Sequence, residues 1–367
     1  MKYKYRNLII VIFLLLITIN AIPSVLGKTR QSYLTRFVLN NEIEQQGFSN
    51  GIIPDKFVSF DATVYALEIL EDYGINPHEI EALQNNLEIN IGELFDDDEN
   101  EVIIYDLFYL MNSLSILQHE IDIDLENRIY QYINDTEQIS GGFSYSNTSS
   151  SASLASTYYI IQLYSLINET IENLPVHKNW VLSCYNIDGG YGGNQSLSST
   201  LLNTYFATLI FDELWEINES VNINKTLSYL KSFYYNDSAD LNNFGGYIPD
   251  KNAQYPTLSS SYFCVKAISL IDAVELNIGP TISWILTLQN FEDGGFSENT
   301  EGYEQKKSST IASYYAFKTL KILNPSLSIL AKDVWMVEFN YWILGIVLLS
   351  IGVVIAVLVF VWRKRRL

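Results

Sequence analysis

The chain is poor in the side chains that most often do chemistry. Of its 367 residues only two are cysteine, Cys184 and Cys264, and three are histidine, His78, His119 and His177. No CxxC pair occurs, and no Cys/His spacing fits a zinc site. A G-x-S-x-G nucleophile elbow and an HExxH helix are also missing. Sequence alone does not bring the two cysteines together as a disulfide. Cys264 sits inside an apolar helical pattern, which suits a buried free thiol. Basic residues are scarce as well: 22 Lys and Arg stand against 42 Asp and Glu. Three of the basic residues precede residue 28 and four follow residue 362, so 15 oppose all 42 acids between, a net charge of −27. A field of that sign repels nucleic acid and anionic headgroups and excludes nucleic acid as a partner. It selects no other partner, and an acidic surface reads first as a solvated one.

Charge is missing altogether from two apolar stretches. LIIVIFLLLIT, residues 8–18, follows Lys2, Lys4 and Arg6 and is broken by Asn20 and Pro23. It is too short to span a bilayer and reads as a signal peptide over residues 1–27, ending at Val25-Leu26-Gly27, with an uncleaved anchor as the alternative. Residues 341–362, YWILGIVLLSIGVVIAVLVFVW, hold no charge. At about 1.5 Å per residue they reach about 33 Å, the depth of a hydrocarbon core. Tyr341, Trp342 and Trp362 flank the run, and the basic tail 363–367 follows at once. The sequence therefore predicts one C-terminal transmembrane helix, a cytoplasmic tail and an extracytoplasmic domain over residues 28–335 on a cell membrane. Seven N-x-S/T sequons, beginning at Asn134, Asn147, Asn168, Asn194, Asn218, Asn224 and Asn236, allow a glycoprotein, although chance matches are expected in a chain rich in Asn and Ser.

Between the ends the sequence repeats. Gly-Gly pairs at 141–142, 189–190, 245–246 and 294–295 are spaced by 48, 56 and 49 residues. Each repeat unit opens with a helical stretch, the clearest being 77–88, 124–138, 174–186, 221–235 and 279–290, which a glycine-containing turn is expected to end. A Ser-rich loop then leads to a more apolar helix. Six of these second helices align with a tyrosine in register: Tyr65, Tyr109, Tyr158, Tyr205, Tyr262 and Tyr314. The first copy keeps only Gly47-Phe48, and the second carries Leu94-Phe95-Asp96-Asp97-Asp98 where the glycines belong. A period near fifty residues marks a repeat architecture. Helices apolar on most faces need burial. The expected fold is all-α, a six-hairpin α/α toroid with the second helices inside.

The pattern WILTLQNFEDGGFSENTEGYEQKKSSTIASYYAFKTLKIL, residues 284–323, resembles the prenyltransferase and squalene-cyclase repeat, and residues 180–211 and 130–167 match it too. The resemblance covers nearly the whole of residues 28–335, weakly in the first two repeats. It implies an α/α toroid but no single activity. In protein prenyltransferases it implies zinc held by an Asp-x-Cys pair and a later His, and no Asp-x-Cys is present here. In class II terpene cyclases it implies a D-x-D-D-T-A acid; Asp96-Asp97-Asp98-Glu99 falls about where that motif sits, but Asn100-Glu101 replaces Thr-Ala. The carboxylate run Asp96–Glu101 reads as a solvated loop first, a weak calcium site second and a source of catalytic acid, through Asp96 or Asp98, last. Asp61, at the start of the first inner helix, reads as a cap before it reads as a catalyst. The Cys-Gly-Glu-Gln run of thioester domains is absent.

The tyrosines have two readings. They line a central cavity that takes a hydrophobic ligand, or each packs its ring on the next hairpin and bonds a loop with its hydroxyl. The expected function is a membrane-anchored, non-catalytic toroid for recognition of a protein partner or a hydrophobic ligand, with no zinc. The alternatives are a diverged prenyltransferase- or terpene-cyclase-like enzyme acting on an isoprenoid or lipid, and a structural cell-surface protein.

Overall fold

The computed structural model describes residues 29–51, 57–96, 102–220 and 222–334. The signal segment 1–27, the apolar span 341–362 and the tail 363–367 lie outside these residues. Among the described residues no helix is long and apolar enough to cross a membrane. The chain divides into two units: residues Gln31–Ile329, and a unit made of the chain ends, in which Thr29 bridges Asp333.

The larger unit is six helical hairpins in sequence. They are α1 (Arg30–Asn40) with α2 (Phe60–Asp72), α3 (Ile80–Asp96) with α4 (Ile104–Ile116), α5 (Ile123–Asp135) with α6 (Leu154–Leu166), α7 (Leu174–Ser183) with α8 (Leu201–Leu214), and α9 (Ile223–Lys231) with α10 (Leu258–Asp272). In the sixth, α11 (Ile278–Thr287) is joined through the short α12 (Thr300–Glu304) to α13 (Thr310–Leu323). The first members lie outside; α3, α5, α7, α9 and α11 each bury only three side chains, in α5 Ile129, Tyr132 and Ile133. The second members are apolar on most faces, and α8 buries nine side chains. Burying an all-round apolar helix requires neighbours on every side, which an inner ring supplies. The Ser-rich loop ends are N-caps: Ser153, Thr200, Thr257 and Ser309 accept the N–H groups of Ser156, Asn203, Ser260 and Ala312. Each such cap stabilises its helix by about 1 kcal/mol. Among the described residues the helical body carries three two-residue antiparallel clasps in its loops: β1 (Glu42–Ile43) with β2 (Gly47–Phe48), β3 (Phe143–Ser144) with β4 (Ala152–Ser153), and β5 (Phe296–Ser297) with β6 (Ser308–Ser309).

The ring closes. Each inner helix packs on the next, and α13 packs back on α2. At three places the first N–H of an inner helix donates to a carbonyl in the loop of the following repeat: Ile104 to Tyr145, Leu154 to Gly193 and Leu258 to Glu298, at 2.9–3.1 Å. The seam repeats this bond, with Thr310 N–H donating to Asn50 O at 2.6 Å. Thr310 Oγ1 adds a bond to Ser49 O at 2.8 Å.

The glycine pairs do not end the outer helices, contrary to the expectation from sequence. Those helices stop at Asp135, Ser183, Lys231 and Thr287, several residues before the pairs. The glycines instead make room for the next outer helix. A Cβ on Gly141, Gly189 or Gly245 would lie 2.8, 2.5 and 2.5 Å from the carbonyl oxygens of Val176, Lys225 and Pro280. The second glycines press against the rings of Trp180, Tyr229, Trp284 and Phe37. Phe37 and Tyr33 belong to α1, so the last pair, Gly294–Gly295, seats the first outer helix and closes the outer ring.

A central aromatic cavity as the candidate functional site

Five loops are tied to their inner helices in one way. The N–H groups of Phe48, Phe143, Tyr191, Tyr247 and Phe296 donate to the hydroxyls of Thr63, Thr157, Thr204, Ser261 and Ser313, at 2.9–3.0 Å. Each hydroxyl stands three residues after the start of its inner helix. In α4 that position is Leu107, and this is the repeat without a glycine pair. The hydroxyl therefore fixes the register, and it corrects the alignment made on tyrosine. The fourth residue after the helix start is Val64, Phe108, Tyr158, Tyr205, Tyr262 or Tyr314; the fifth is Tyr65, Tyr109, Tyr159, Phe206, Phe263 or Tyr315. Tyr65 and Tyr109 belong to the second row, one position on from the other four.

Both rows face a cavity of about 360 Å³ on the axis of the inner ring, and the structure brings all six predicted tyrosines to its wall. Tyr65 stacks on Tyr314 with centroids 4.0 Å apart and planes at 10°, across the seam between the first and last repeats. Tyr262 stacks on Tyr315 at 5.5 Å, and Tyr205 meets Phe263 at 4.8 Å. The hydroxyls bond within the wall rather than to loops: Tyr109 and Tyr159 meet at 3.2 Å, and Tyr314 donates to Glu68 at 3.2 Å. Burial pushes the phenols of Tyr65, Tyr205, Tyr262 and Tyr314 up, so they stay neutral.

One side of the cavity is polar. Eight residues after the helix start, the first three repeats place Glu68, Asn112 and Gln162 on the wall. Lys318 of α13 sets its Nζ 2.6 Å from Glu68 Oε2, and this pair is mostly buried. Burial pulls the Lys318 ammonium down, the Glu68 carboxylate pushes it up by more, and the net shift is upward. The sequence reading missed these residues. Their signal was the spacing from the helix start, legible only once the hydroxyl register is known.

The acidic candidates lie elsewhere. Asp61 is in the first turn of α2 and accepts the Ala62 N–H at 2.7 Å and the Ser59 hydroxyl. Ser59, not Asp61, holds the N-cap position. Asp106 on α4 is a partner that sequence did not indicate: burial raises its carboxyl, and the charge of Asp61 raises it further. Asp96 is the last residue of the outer helix α3, with its carboxylate 2.7 Å from the Arg128 guanidinium on the exposed surface. Asp98 and the rest of the run proposed for calcium lie outside the described residues.

The donor set does not fit the zinc of protein prenyltransferases. Cys184 Sγ donates to Trp180 O at 3.4 Å, and burial pushes its thiol up to about 12. Cys264 is fully buried, its thiol also pushed up. His78 pairs with Glu42 at 2.6 Å, His119 with Glu88 at 2.8 Å, and His177 Nδ1 accepts the Gly142 N–H at 3.1 Å. Among the described residues no three His, Cys, Asp or Glu side chains converge as ligands.

The sequence model of the prenyltransferase alpha-alpha toroid domain matches residues 77–179 and 169–333. No curated protein matches the chain in sequence. Among solved structures, protein geranylgeranyltransferase-I of Candida albicans, complexed with GGPP, is similar over 74% of this chain and 85% of its own, with 15% identity and a TM-score of 0.56. A variant of the type II terpene cyclase MstE from Scytonema, in complex with geranylgeranyl dihydroxybenzoate, is similar over 81% of this chain and 97% of its own, with 10% identity and a TM-score of 0.55. A protein from Actinoplanes reaches 0.52 at 9% identity, over 83% of this chain and 99% of its own. At these identities the likeness is one of fold.

Proposed function

The chain belongs to the prenyltransferase alpha-alpha toroid family, and from that premise we propose that its central cavity binds an isoprenoid-class molecule without transforming it. The observation that carries this reading is the cavity wall, with eleven aromatic side chains around about 360 Å³. Aromatic faces take up branched apolar chains, and two fold relatives are named with geranylgeranyl compounds bound. At about 30 Å³ per water-sized atom the cavity holds about twelve non-hydrogen atoms, a ten-carbon geranyl chain with its head. Longer chains would extend beyond it.

The non-catalytic part rests on the chemistry of the wall. Its phenols are neutral, its one carboxylate is compensated by Lys318, and both thiols are buried among apolar groups. A second reading, a diverged enzyme, is favoured by one observation: Asp106, a carboxyl held protonated to higher pH beside Asp61, which is the state a proton donor needs. The uncharged run 341–362 supports a membrane tether with residues 28–335 outside, and the acidic surface suits that exposure.

The test incubates the full chain with geraniol, then extracts and identifies what is bound. Stoichiometric recovery of unaltered geraniol is expected. A cyclised product that disappears in Asp106→Asn would establish the enzyme reading instead. For the tether, the full chain should stay with membranes in alkaline carbonate; complete release would contradict it.

A further inference from the structure

We infer that the cavity selects a ligand with a neutral, hydroxylated head and rejects its phosphorylated forms. This rests on the reading of the cavity as an isoprenoid site. The aromatic rows satisfy much of their own polarity through bonds among Tyr109, Tyr159 and Tyr314 and with Glu68. The row below does not. Asn112 and Gln162 line the cavity with side-chain amides that make no hydrogen bond among the described residues. Each amide offers two donors and an acceptor, and an apolar molecule filling the cavity would cut them off from water without replacing those bonds. A ligand hydroxyl both donates and accepts, so it can bridge the two amides or one amide and the Glu68 carboxylate.

A phosphate is unsuited to the same corner. As a dianion it only accepts, and it requires cations or a dense set of N–H donors. Among the described residues no lysine or arginine lines the cavity. Lys318, the neighbouring ammonium, is already engaged with Glu68 at 2.6 Å. A dianion would therefore meet a carboxylate and no uncommitted cation, inside a domain of strongly negative charge. The inner wall thus differs in chemistry from a site built to hold a diphosphate.

The experiment measures binding of four ten-carbon probes to the full chain in lipid nanodiscs: geraniol, geranyl monophosphate, geranyl diphosphate and the hydrocarbon myrcene. Geraniol should bind about tenfold more tightly than myrcene and than either phosphate, the discrimination of one well-placed polar contact. In the double variant Asn112→Leu, Gln162→Leu, geraniol and myrcene should bind alike, with circular dichroism confirming the fold. In Glu68→Gln the gap between geraniol and geranyl monophosphate should narrow. Equal binding of geraniol and myrcene to the unaltered protein would overturn the inference, as would tighter binding of the diphosphate. If none of the four binds, the cavity reading itself fails, a result distinct from a wrong order of affinities.

Discussion

Substituting Gly294 by alanine tests the closure of the ring at its seam. This residue has φ +104°, a conformation that side chains rarely adopt, and its added Cβ would overlap Tyr33 O of α1 and lie 2.7 Å from Tyr33 C. The neighbour is helix backbone, which cannot turn aside as a side chain can. Strain at such a φ costs about 1–3 kcal/mol. Overpacking by one methyl group costs about 1–3 kcal/mol more. A total of about 2–6 kcal/mol, at about 2 °C per kcal/mol for a unit of this size, lowers the Tm by about 4–12 °C. Gly279 is the control: it lies in α11 with no atom within 4 Å of an added Cβ. Gly279→Ala should hold or raise stability by about 0.5–1 kcal/mol through helix propensity. Differential scanning calorimetry of the full chain compares the two, and hydrogen exchange locates the damage, which should fall on the amides of α1. A Gly294→Ala protein melting within about 1 °C of the unaltered chain, with α1 equally protected, would refute the clasp.

Two further outcomes follow from the same geometry. Ser313→Ala leaves the buried Phe296 N–H without its acceptor and should cost about 1–3 kcal/mol, visible as a lower denaturation midpoint; Thr157→Val should act likewise on Phe143, and no loss in either would show that these bonds do not hold the loops. Alkaline titration should unfold the toroid. The buried phenols have folded values raised above the ordinary value of about 10, so their contribution is complete below pH ~10 and is lost as pH rises through the raised values. Phenolate absorbance and loss of helical circular dichroism should appear together, whereas phenolate signals of these buried residues in a fully helical protein would contradict the burial.

Much of the architecture was legible because a repeat states each of its rules several times. Four glycine pairs near a fifty-residue spacing, each ahead of an apolar helix, left few alternatives to stacked hairpins, and the all-round apolarity of helices such as α8 pointed to an inner ring. What the glycines do was not legible. The close approach of Gly294 to Tyr33 joins residues at opposite ends of the toroid, and no local pattern encodes it. The tyrosine register failed for a related reason. Tyrosine is conspicuous, but the residue that sets the helix against its loop is the smaller Thr63, Thr157, Thr204, Ser261 or Ser313. In the first repeat the tyrosine stands two positions after that hydroxyl rather than one. The Glu68–Lys318 pair escaped notice because it joins the first repeat to the last, some 250 residues away. Asp96 drew attention through its acidic neighbours, yet its helix places it outside, against Arg128.

The position of a bound ligand decides whether the centre of the ring is the site. A brominated geraniol analogue bound to the full chain, located by anomalous scattering, should place its bromine inside the inner ring among Tyr65, Tyr262 and Tyr315, with the hydroxyl toward Asn112 and Gln162. A bromine on the outer helices or the loops, with the ring centre unchanged, would contradict the central claim.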